Sequence, residues 1–214
     1  MTTIKIVIYS ILLLLSNANI QAQKYEFDLL TKYSIKSRSN EKETVIYSNS
    51  KNPNYVLYIF KKSSKREGKL YDIDKKKLHI YDVIETNDNG QIYFQFKYTN
   101  SNDFNSGNRS KEYELKTKSI SKIDSIYKEI KIELLHKSNK TKKMISYTLK
   151  TKKTDSNLFP VFRFSCMHPF EFDENINVLE NILVENASSL SFSGIKTNYK
   201  LLLVQEIKFE LVIP

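Results

Sequence analysis

The stretch KLHIYDVIETNDNGQIYFQFKYT, residues 77–99, decides the fold class. Its second half alternates: Ile92, Phe94, Phe96 and Tyr98 fall on one side of an extended chain, and Gln91, Gln95 and Lys97 on the other. Side chains along a strand alternate with period two, so this is a strand with one buried and one wet face. The first half is a second strand, and Asn87-Asp88-Asn89-Gly90 lies between them. The Asn-Gly step accepts the positive φ of a tight turn, so the spacing predicts a β-hairpin over 77–99.

The same period extends in both directions. ETVIYSN (43–49) and NYVLYIFKK (54–62) are joined through Asn52-Pro53-Asn54, and KLYDIDKKKLHIYD (69–82) turns at Asp74–Lys77. Downstream, Ile126, Ile130, Ile132 and Leu134 alternate with Lys131 and Glu133, and Ile145, Tyr147 and Leu149 continue the pattern. The last segment sets Tyr199, Leu201, Leu203, Ile207, Phe209, Leu211 and Ile213 against Lys200, Glu206, Lys208 and Glu210. Two stretches depart from it. Residues 100–111 form a polar, turn-rich loop, and 173–185 space Ile176, Leu179, Ile182 and Leu183 at helical intervals behind Asp173, an N-cap residue type. A second short helix is expected over Ser119–Tyr127. The expected fold is mainly β: eight to ten strands in a curved antiparallel meander or open barrel, covered by one or two helices.

The chain begins with an apolar run, Ile6–Leu15, that is half of the roughly 20 residues a membrane-spanning helix needs. Lys5 precedes it and Ser16-Asn17-Ala18-Asn19 ends it, and Ile20-Gln21-Ala22 offers small and aliphatic residues at a processing site. This is the order of a secretory signal, with cleavage between Ala22 and Gln23. The organisation read here is a cleavable signal over 1–22 and one β-rich domain over 23–214, with no transmembrane span. The protein is then exported, to the periplasm or beyond the cell.

Of 214 residues, 34 are Lys or Arg and 24 Asp or Glu, a net charge of +10. Only Arg38, Arg66, Arg109 and Arg163 are arginines, although Arg is the usual bidentate partner of phosphate, so nucleic acid is not the expected partner. The lysine clusters at 61–69, 74–77 and 137–143 fall at expected turns, where they keep hairpin ends soluble. An outer-membrane barrel also alternates, but its lipid-facing band is uncharged, and this chain ends in Pro214 rather than an aromatic residue.

Cys166 is the only cysteine, which excludes an internal disulfide framework. With His168 two residues on, it is the one local pair suggesting a nucleophile and base, or part of a metal site. On a strand the two share a face; a zinc site would need a third or fourth ligand, and His79 and His136 lie in other strands. Glu171, Asp173 and Glu174 have the composition for acid–base work, and equally that of a helix start. No GxSxG, HExxH, Walker or GxGxxG string occurs, and no cofactor is expected.

Tyr25-Glu26-Phe27 after the leader, His168-Pro169, and the closing Val212-Ile213-Pro214 resemble, in order and composition, the small secreted GLPGLI-like proteins of Flavobacteria and other Bacteroidota. The resemblance implies an exported protein and brings no catalytic residue. The expected function is that of a non-enzymatic envelope protein binding a lipid, a peptide or an envelope protein on a curved sheet. The alternatives are an exported hydrolase centred near Cys166 and His168, or a purely structural envelope component.

Overall fold

A computed structural model of the chain describes residues 22–62, 65–88, 91–105 and 112–213. The first half supplies β1 (Gln23–Ser37), β2 (Asn40–Ser48), β3 (Tyr55–Lys62), β4 (Lys65–Asp72), β5 (Lys77–Asp88) and β6 (Gln91–Asp103). The second supplies β7 (Tyr113–Lys122), β8 (Tyr127–His136), β9 (Asn139–Lys153), helix α1 (Phe159–Cys166), β10 (Ile182–Ser191) and β11 (Lys196–Ile213). The chain divides into two compact units. The smaller runs to Tyr25 and takes up again at Glu210; in it Lys24 pairs with Glu210 at 3.0 Å. The larger spans Glu26–Phe209.

All eleven strands join one sheet, in the order β6-β5-β4-β3-β2-β1-β11-β10-β9-β8-β7. Each half is a meander: β1 to β6 steps outward to one edge, and β7 to β11 steps inward from the other. The two edges are therefore consecutive in the chain, and that forces curvature. A flat sheet of this width would set its edges about 48 Å apart at the usual strand spacing. The ten residues from Asp103 to Tyr113 reach at most about 36 Å. Phe104 stacks edge-on against Phe172 (4.9 Å between ring centroids), and Tyr113 against Phe170 (5.3 Å). Both ends of the connection thus anchor on one short segment, and the sheet of the larger unit curls around it.

The expected curved, open, mainly β architecture is what the chain adopts, with eleven strands rather than the expected eight to ten. The 77–99 hairpin forms, with β5 and β6 in antiparallel register from Lys77↔Asp103 to Asp88↔Gln91. Its Asn89-Gly90 step and the side chain of Ile92 lie outside the described residues, as do residues 1–21 of the leader read over 1–22, and Pro214. On β6, Phe94, Phe96 and Tyr98 are half-buried while Gln95 and Lys97 are exposed. β6 runs on to Asp103, so the expected loop at 100–111 begins four residues later than its composition suggested.

Both expected helices are corrected. Asp173 does open a turn, its Oδ1 accepting the Asn175 N–H (3.0 Å), but no helix follows. Ile182, Leu183 and Val184 instead pair with Lys153, Lys152 and Thr151 of β9, where branched side chains pack well on a pleated surface. Ser119–Tyr127 is the end of β7, a turn, and the start of β8. Asp124 Oδ1 accepts the N–H groups of Ile126 (2.7 Å) and Tyr127 (2.8 Å), closing that turn tightly.

Candidate functional site

The concave face of the sheet is apolar across seven strands. Leu29, Tyr33 and Ile35 of β1, Ile46 of β2, and Val56 and Tyr58 of β3 join one buried cluster. Ile130, Ile132 and Leu134 of β8, Tyr147 and Leu149 of β9, Val184 of β10 and Tyr199 of β11 complete it. Bringing it together depends on register: Ile46 faces Tyr58, Ile130 faces Leu149, and Ile132 faces Tyr147.

This bowl is filled by α1. FPVFRFSC is buried all round, Arg163 and Ser165 included, and its other six residues are apolar. Pro160 sits in the first turn, where a missing N–H costs nothing, and Asn157 Oδ1 accepts the Phe159 N–H (2.9 Å). Phe162 packs against the rings of Tyr33, Tyr147, Phe159 and Tyr199. The Tyr58 hydroxyl donates to the Phe164 carbonyl (2.7 Å), tying the helix to β3. Burial pushes the phenols of Tyr33, Tyr58 and Tyr147 well above their ordinary range, so they remain donors. The sequence signal for α1 was Leu158 to Met167 itself, a mostly apolar run around Arg163 and Ser165, with Pro160 near its start and Pro169 just past its end. Its aromatic, period-free composition hides a helix among strands.

Arg163 is 2% exposed, and its hydrogen bonds run to the segment that follows the helix. Its Nε donates to the Glu171 carbonyl (3.2 Å), its Nη1 to the Ile176 carbonyl (3.0 Å), and its guanidinium lies 5.2 Å from the Phe164 ring centroid. Burial lowers its pKa to about 10, against the opposing pull of Asp173 and Glu174. Arg163 thus pins the irregular segment 167–181, which with α1 forms the cover of the bowl. Of the three acidic residues read in the sequence, Asp173 is buried beside this guanidinium, and Glu171 lends it a backbone carbonyl.

Cys166 and His168 are not brought together. Cys166 ends α1 and faces the core, where burial pushes its thiol well above the ordinary value. The His168 side chain is 82% exposed, with Nδ1 2.8 Å from Glu171 Oε1. The expected shared strand face is corrected: the helix ends at Cys166 and the chain turns over Met167–Phe170, leaving Cys166 buried and His168 exposed. A buried, protonated thiol is inert as a nucleophile. Among the described residues no group of three His, Cys, Asp or Glu could hold a metal ion.

Open clefts lie at the rims. One of about 640 Å³ is lined by Lys61, Lys65, Arg66, Asp82, Ile84 and Lys97, where the lysine cluster at the β3–β4 turn falls. Another, of about 360 Å³, lies beside the cover segment and includes Ile126, Lys128, Lys153, Leu179 and Glu180. Among the described residues no helix is long and apolar enough to cross a membrane.

The chain matches no protein-family model and no curated protein. Among solved structures it is similar to a DUF1329 family protein from Desulfovibrio piger, at 7% identity over 87% of each chain, with a TM-score of 0.25. It is similar to the same degree to a domain proposed to belong to an outer membrane lipoprotein-sorting protein of Vibrio parahaemolyticus, at 7% identity over 85% of each chain and a TM-score of 0.25. At that level neither likeness carries an argument for this chain.

Proposed function

We propose that this chain is an exported, non-enzymatic binding protein whose concave sheet face takes an apolar chain, such as the acyl chain of a lipid, in place of its own helix. The leader read over 1–22 supports export. The observation that carries the binding reading is how the bowl is closed. An aromatic and aliphatic surface drawn from seven strands is covered by an eight-residue helix and an irregular segment, not by a second sheet. Elements with few regular hydrogen bonds open at lower free energy than sheet cores do. Moving α1 aside exposes an aromatic and aliphatic concave surface, the kind of lining that apolar ligand sites have.

A second reading, a protein partner, is favoured by Leu202, Leu203 and Val204, three consecutive exposed aliphatic residues on β11. The deciding experiment is native mass spectrometry of the protein purified from its own envelope, followed by organic extraction. A co-purifying lipid supports the first reading. A protein that is empty, and takes up no fluorescent acyl probe, rejects it in favour of the second.

A further inference from the structure

The cleft of about 360 Å³ lies where the cover meets the sheet. Its floor is Thr151 of β9 and Ile182 of β10, both buried, and Ile182 belongs to the bowl's apolar cluster. Its walls are Ile126 and Leu179, the latter 90% exposed. A leucine held so far into solvent, beside an isoleucine that leads down to the core, is an apolar path with one end in water. Around this path stand Lys128, Lys153 and Glu180.

Lys128 Nζ lies 2.5 Å from Glu180 Oε2. Lys128 belongs to β8 of the sheet and Glu180 to the cover, so this ion pair ties the movable part to the fixed part. Lys153 is exposed and makes no ion pair among the described residues. The cleft therefore holds two cations and one anion, and its one anion is the side chain that fastens the cover.

We infer that this cleft is the headgroup site and mouth of the bowl: it takes the anionic head, carboxylate or phosphate, of a single-chain amphiphile whose tail passes Ile126 and Leu179 into the concave face. Glu180 occupies the head's place in the empty protein. An incoming anion pairs with Lys128 and Lys153, displaces Glu180, and so releases the cover as the tail arrives. Loading and opening are one exchange of anions at Lys128. This rests on the reading that the concave face binds an acyl chain.

The test uses the fluorescent probe cis-parinaric acid and its uncharged methyl ester. The acid should bind more tightly than the ester. Lys153→Gln, a surface change outside the Lys128–Glu180 pair, should weaken the acid about two- to fivefold, the range of exposed charge pairs, and leave the ester unchanged. Glu180→Gln, which empties the anion position while keeping Lys128, should tighten the acid by a similar factor. Oleate and lysophosphatidate as competitors distinguish a carboxylate from a phosphate head, and displacement by either supports the site. Equal binding of acid and ester, or a Lys153→Gln variant indistinguishable from the parent, overturns the headgroup site and leaves acyl binding intact. Binding of neither probe overturns the acyl-binding reading itself, and this site with it.

Discussion

The hydroxyl of Tyr33 in β1 donates a 2.5 Å hydrogen bond to the carbonyl of Val184 in β10, reaching past the strand that separates them in the sheet. The reason is a bulge. β10 shifts register between Val184 and Asn186, and its ladder to β11 covers only Asn186–Leu190. The Tyr33 phenol takes the place of that ladder at Val184, at a site where neither residue is exposed.

Tyr33→Phe keeps the ring in the bowl and removes only this donor. A buried carbonyl left without its partner costs about 1–3 kcal/mol, so the variant should unfold at correspondingly lower urea concentration with an unchanged m-value. A midpoint equal to that of the parent would mean that the Val184 carbonyl finds another donor.

Phe162→Ala should cost about 3–5 kcal/mol, the range for removing a fully buried aromatic ring. The same change vacates the centre of the bowl, so the destabilised protein should bind cis-parinaric acid more tightly than the parent. Loss of stability without any gain in binding would show that the ring does not stand in a ligand's place.

Sheet and site differ in how much of each the sequence disclosed. Strands such as Ile130-Lys131-Ile132-Glu133-Leu134 were legible because one face is charged: Lys131 is exposed and Glu133, though buried, is paired with Lys118 and Lys143, while Ile130, Ile132 and Leu134 are fully buried. The charged face is what writes the period into the sequence. α1 has no such face, so Phe159-Pro160-Val161-Phe162 carries no period to read. The 173–185 stretch misled for the opposite reason, since spacing alone cannot show that Ile182–Val184 have β9 waiting beside them. The separation of Cys166 from His168 followed from that missed helix: two residues apart is one face on a strand, whereas Cys166 ends a buried helix and His168 lies in the turn after it. The cleft between Lys128 and Glu180 joins residues 52 positions apart, and no local pattern links them.

His79 makes stability depend on pH. Burial lowers its pKa below the ordinary 6.5, with Asp72 opposing, and its Nδ1 lies 2.5 Å from Ser101 Oγ. The unfolded chain then binds a proton more readily than the folded one, so stability rises with pH through this window. On acidification it should begin to fall near pH 6.5 and level off below the folded value. Against the same background of carboxylates, His79→Gln should remove that step from a series of urea melts. A parent and variant with parallel profiles between pH 7 and 5 would show that the ring is not held neutral.

Cys166 supplies an internal report on the cover. With its thiol buried and its pKa raised, iodoacetamide at pH 8 should leave the folded protein unmodified while the urea-unfolded chain gains one carbamidomethyl group, read by intact mass. Glu180→Gln, which unfastens the cover from Lys128, should alkylate faster than the parent at equal global stability, because opening α1 is the route by which reagent reaches the sulfur. A parent thiol that reacts as quickly folded as unfolded would place Cys166 in contact with solvent. It would return the nucleophile reading of Cys166 to contention, and with it the hydrolase alternative that the buried thiol now opposes.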